Sequence, residues 1–168
     1  MRARSAARGA AIEVGSCGIS SAGRPATDEA VRAARARGAD IAEHRSAVLG
    51  PELVDGADLV IAMERQHGRE VVLVDPDAAA KCFTFKDLVR RAEAASPRAD
   101  DESPLAWIAR IGAGHTARDF VGFDADDEVA DPYARSMAAY EVCADELADL
   151  IDRLLERAWP PRRAEGAA

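Results

Sequence analysis

Asp131, Pro132 and Tyr133, followed by Ser136 and a long stretch of helical periodicity, are the residues of this chain best suited to chemistry. A proline disfavours helical geometry at the residue before it, so Asp131 is held extended or in a turn, where its carboxyl group can point into a cleft. Tyr133 sets a flat apolar face beside that carboxyl. The pair suits a site that grips an aromatic leaving group and protonates it as it departs. Asp-Pro also simply opens turns, and the tripeptide alone does not choose between the two.

Few other residue types offer chemistry. Cys17, Cys82 and Cys143 are an odd number at wide spacing, as expected of free thiols in a reducing compartment, and no pair has metal-ligand spacing. The acids between Asp124 and Glu128 read as a solvated loop rather than a metal site. Glu64 reads as a charge at a helix N-terminus, and His67 and His115 as surface residues. No cofactor is implied.

The elements that must position these residues follow from composition and pattern. The 168 residues make one domain with room for a core, and 48% hydrophobic with 5% aromatic content means a core built mainly of aliphatic side chains. A net charge of −8 excludes the broad basic footprint that nucleic acids need. The basic start has no apolar stretch of the secretory kind behind it, and no segment has transmembrane length, so a cytoplasmic protein is expected.

Residues 1–8 read as the end of a helix capped by Gly9, and 10–23 as one irregular strand bent by glycines. Thr27 caps a helix running to Gly38, with Ala30, Val31 and Ala34 expected to face inward. Asp58–Met63 is a continuous apolar run typical of a buried parallel strand. A crossover helix follows over Arg65–Val74, stopped by Pro76. Ala79–Phe83 reads as the last strand and Phe85–Val89 as the start of a helix.

Residues 92–101 look like a mobile excursion within an insertion of about 92–128. Inside that insertion, Ser103-Pro104 opens a short helix carrying Trp107, Ile108 and Ile111. From Ser136, apolar residues recur at helical spacing through Leu154, so the last helix lays one face on the sheet. The domain is expected over 1–158, with a disordered tail over 159–168. Alternating strands and helices give an α/β class with a parallel sheet.

In this order the chain resembles the low-molecular-weight protein tyrosine phosphatase family. The resemblance rests on Ser20-Ser-Ala-Gly23 with Pro25, Asp40-Ile41 with His44-Arg45-Ser46, Ala57–Met63, and Asp131-Pro-Tyr133 with Ser136 and Tyr140. It implies a three-layer fold with a four-stranded parallel sheet flanked by helices, and a site at the C-terminal ends of the strands. It implies a phosphotyrosine-containing protein or an aryl phosphate as substrate, attacked by a cysteine thiolate held in a Cys-x5-Arg loop to give a phosphocysteine. Asp131 would be the general acid, Tyr133 would line the pocket mouth, and Ser21 and His44 would brace the phosphate loop from behind.

The 168 residues contain no Cys-x5-Arg loop; Cys17 is separated from Arg24 by six residues. In register with the family, Met1 falls partway into the first helix, so the first strand and the phosphate loop have no counterpart. The expectation is an enzyme whose recorded start lies downstream of the true one. The alternatives are a catalytically dead binding module, or an arsenate reductase of the same fold, which would need resolving cysteines close together.

Overall fold

The computed structural model describes residues 1–160. Its helices are α1 (Arg2–Ala6), α2 (Asp28–Arg35), α3 (Pro51–Asp55), α4 (Arg65–Val74), α5 (Phe85–Ala94), α6 (Pro104–Ile111) and α7 (Met137–Ala158), with strands β1 (Val60–Ala62) and β2 (Cys82–Thr84). The strands pair in parallel, Val60 opposite Cys82 and Ala62 opposite Thr84. The α/β class holds, although the sheet has two strands among the described residues.

Alternation along these short strands splits the core into two layers. Ile61 and Phe83 point to one face, packing with Leu88, Trp107, Leu150 and Leu154 of α5, α6 and α7. Val60, Ala62 and Cys82 point to the other, against Val54 of α3, Val71 of α4, and Phe120. Helix layers therefore cover both faces of the sheet, as a continuous apolar strand requires.

Local signals set the helix ends. Thr27, Thr84 and Ser103 each accept a backbone N–H at the start of α2, α5 and α6, from Ala30 at 3.2 Å, Asp87 at 3.3 Å and Ala106 at 3.1 Å. Gly9 takes the left-handed conformation expected of the residue ending α1. Asp75 caps a 3₁₀ turn, Pro76–Lys81, which occupies the first part of the strand expected at 79–83. The strand itself begins only at Cys82.

Several expectations are corrected. Residues 10–23 form no strand: Gly18 makes a single parallel bridge to Val48, Pro25 an antiparallel one to Arg45, and most of this segment's side chains are exposed. A strand needs a partner along its whole edge, and the 47–49 stretch supplies only one or two bonds. On α2 the fully buried residue is Ala33, while Ala30, Val31 and Ala34 are half-buried. Residues 92–101 are not a loose excursion, because Ala92 is core and Arg98 ties the segment to the end of α7. Its N–H donates to the Arg157 carbonyl at 2.9 Å and its Nε to the Ala158 carbonyl at 2.5 Å. The tail expected over 159–168 lies outside the described residues from 161 on, while Trp159 is half-buried under the Arg98 guanidinium.

Candidate active site

The Asp131 loop begins at the C-terminal end of β1. Val129 is buried, and its N–H donates to the Met63 carbonyl at 2.9 Å, fixing the chain two residues before Asp131. Asp131 then forms an Asx turn, its Oδ1 accepting from the Tyr133 N–H at 2.9 Å. Ala134 follows in left-handed backbone, φ 59°, and Arg135 N–H closes the turn on the Pro132 carbonyl at 3.0 Å. Ser136 starts α7 through its backbone alone, with no side-chain cap.

This geometry exposes the Asp131 carboxyl and leaves Tyr133 65% exposed. Asp131 lines a groove of about 300 Å³ together with Arg135, Ala139, Val142 and Cys143 of the loop and α7, and Tyr133 is not among the lining residues. Glu146, which also lines the groove, is paired with Lys86 at 2.7 Å. The Asx turn and the groove coexist: one carboxylate oxygen holds the loop while the carboxyl group remains open to a ligand.

None of the three thiols is set up as a nucleophile. Burial pushes the Cys82 thiol up to about 12. The Cys17 thiol is raised by partial burial, and that of Cys143 by burial, then by the Glu146 and Asp131 charges. A nucleophilic cysteine needs the opposite shift, which comes from a helix N-terminus or a neighbouring cation.

Ser21 and His44 lie in the loops on either side of α2. Ser46 Oγ donates to the Ser21 carbonyl at 2.7 Å and accepts from the Arg24 N–H at 3.1 Å, stitching the two loops together. His44 is exposed. Among the described residues, no hydrogen bond links the side chain of Ser21 or of His44 to the Asp131 loop.

Two residues near this end of the sheet were missed by sequence reasoning. Asp127 is not a solvated acid: its side chain is 6% exposed, and its Oδ2 accepts from Arg65 Nε at 2.9 Å and Nη2 at 2.5 Å. Burial alone would raise its carboxyl, but the hydrogen bonds from Arg65 and the adjacent charge of Arg90 outweigh that and hold it below the usual range. His115 is not a surface residue either. Its side chain is 1% exposed and stacks on Phe83 with ring centroids 4.5 Å apart. Its Nε2 donates to the Cys82 carbonyl at 2.8 Å, because a carbonyl can only accept. Nothing in a lone histidine between Gly114 and Thr116, or in a run of acids, signals either burial.

Comparison with known proteins now bears on this geometry. The model of the family described as low molecular weight phosphotyrosine protein phosphatase matches residues 1–104 of the 168. A protein-arginine-phosphatase of Geobacillus stearothermophilus is 29% identical over 147 residues, covering 87% of this chain and 76% of the relative. The crystal structure of a low molecular weight protein tyrosine phosphatase from T. tengcongensis superposes with a TM-score of 0.66 at 33% identity, over 92% of this chain and 84% of the other. A mutant of YwlE from Bacillus subtilis gives 0.66 at 25% identity, over 92% and 82%.

Proposed function

Since the chain belongs to the low molecular weight phosphotyrosine protein phosphatase family, we propose that it acts on phosphorylated side chains of proteins, phosphotyrosine first, with Asp131 as the general acid. The observation that supports this reading most is the Val129-to-Met63 bond. It sets the Asp131 loop at the C-terminal end of a parallel strand, where ligands of such sheets bind. Asp131 would protonate the departing tyrosyl oxygen and then help water to cleave the phosphocysteine. Tyr133, exposed two residues further on, would offer an aromatic face for the leaving group. Ser21 and His44 retain the bracing role proposed for them, behind a phosphate loop.

The nucleophile is a separate matter. The 168 residues hold no Cys-x5-Arg loop, and their own thiols are shifted the wrong way. The reading therefore assigns the acid half of the reaction to this chain and requires the phosphate loop to be supplied. A second substrate, phosphoarginine, is favoured by the relative named a protein-arginine-phosphatase.

The test is a graft. The first strand and Cys-x5-Arg loop of a family member would be fused ahead of Met1, and turnover of phosphotyrosine and phosphoarginine peptides measured beside the unfused chain. Turnover of phosphotyrosine by the fusion, reduced by about 10²–10⁴ in Asp131→Asn, is the expected result. A folded fusion that binds phosphate but turns over neither peptide would defeat the enzyme reading and leave a binding module.

A further inference from the structure

We propose that Asp127 is a positioning residue for Asp131, its buried carboxylate clasped between Arg65 and Arg90 so that the acid loop is held in one place; this rests on the reading of Asp131 as general acid. Arg65 is the first residue of α4, directly after β1, and Arg90 belongs to α5. Both Arg65 contacts fall on Oδ2, whereas Arg90 Nη1 lies 2.6 Å from Oδ1 without the alignment of a hydrogen bond. One carboxylate thus joins the two helices that follow the two strands.

The neighbouring chain is bound to the same frame. Arg65 also donates to the Val121 carbonyl and to Asp124 Oδ2, each at 3.2 Å, and Arg69 donates to the Phe120 carbonyl at 2.6 Å. Two residues after Asp127, the Val129 N–H is on the Met63 carbonyl. From that bond to Asp131 is two residues, a reach of about 7 Å at most. Fixing Asp127 and Val129 therefore narrows where the Asp131 carboxyl can go, and the Asx turn to the Tyr133 N–H narrows it further.

Stability alone is a poor account of this cluster. Desolvating an ion pair commonly cancels its Coulombic gain, and apolar residues of similar volume stabilise as well or better. What a buried carboxylate clasped by two arginines adds is a single geometry. A general acid must lie within about 2.6–3.2 Å of the oxygen it protonates, and an error near 1 Å can cost about 10²-fold in rate.

Two variants test this, Asp127→Asn and the milder Arg90→Gln at a half-exposed arginine. In the 168-residue chain, amide hydrogen exchange at Val129 and Tyr133 should quicken about tenfold or more in Asp127→Asn and less in Arg90→Gln, while Ile61 and Phe83 keep their protection. Unchanged loop amides in both variants, or an equal loss at every site, would overturn the proposal. In the phosphate-loop fusion, Asp127→Asn should lower kcat on tyrosyl phosphate about 10- to 100-fold at unchanged KM. It should spare 4-nitrophenyl phosphate, whose acidic leaving group needs little protonation. If Asp131→Asn is harmless there, the general-acid reading fails. If Asp131→Asn is damaging and Asp127→Asn is not, only the positioning role fails.

Discussion

Gly68 sits inside α4 with its Cα against Phe120, and replacing it with alanine opposes two effects of known size. A Cβ there would lie 2.4 Å from two carbons of the Phe120 ring and 2.9 Å from a third. Ordinary carbon contact begins near 3.5 Å, so the ring would have to retreat by about 1 Å. It has nowhere to go. Phe120 is 1% exposed, packed against Val71 and Ala78, with the His115 ring edge-on at 5.3 Å. Alanine would gain about 1 kcal/mol of helix propensity, while overpacking a tight core costs about 1–3 kcal/mol. The expected outcome is a net loss of about 1 kcal/mol, with an upper bound near 2. Urea denaturation followed by circular dichroism would read it as a lower midpoint at unchanged m-value. Phe120→Leu should relieve the clash, so the two substitutions should couple by at least ~0.5 kcal/mol in a double-mutant cycle. A Gly68→Ala protein stabilised by the full helix-propensity gain of about 1 kcal/mol, or a strictly additive cycle, would refute the close approach of α4 to the segment leading into Asp131.

Other consequences are equally direct. The carboxyls of Asp127, Glu93 and Glu102 are held below their ordinary values, by arginine hydrogen bonds that outweigh burial at Asp127 and are themselves the largest cause at the other two. Depressed acids add stability above the unfolded carboxylate range of about 4 and lose it as pH falls through their folded values, so melting temperature should fall on acidification below about pH 4. Cys82, raised to about 12, works at the other end: its contribution is intact below the unfolded thiol value of about 8.5 and is lost as pH rises toward 12. Thiol-reagent kinetics at mildly alkaline pH should accordingly label exposed Cys17 first and Cys82 only on unfolding. Ala134→Gly should be neutral to stabilising by about 1 kcal/mol in thermal melts, since it removes left-handed strain of about 1–2 kcal/mol against a flexibility cost of about 0.4–1.

Much of the fold was legible because its signals are local. The α4 boundaries at Arg65 and Val74, the Thr27 and Ser103 caps, the Gly9 turn and the parallel strand before Met63 each depend on a few adjacent residues. The errors arose where a residue's environment comes from far along the chain. Residues 10–23 have strand composition but find almost no strand to pair with. Residues 92–101 have loop composition but are pinned by Arg98 to carbonyls some sixty positions away. At the candidate site, the turn at Asp131 was legible from the proline that follows it. Asp127 and His115 were not, because a carboxylate or an imidazole carries no mark of burial until its arginines, or its carbonyl, come to meet it.

The amino-acid sequence by itself determined the class of the fold, the helices capped by Thr27 and Ser103, the turn at Asp131, and the lack of a Cys-x5-Arg loop among these residues. Periodicity, caps and proline geometry act over a few residues and survive without the rest of the molecule. Only the tertiary structure decided that Asp127 is buried between Arg65 and Arg90, that Cys82 is sealed in the sheet, and that the Asp131 loop is moored to the end of β1. Burial and charge pairing belong to groups brought together across sixty residues of chain, and no local pattern of residue types encodes that meeting.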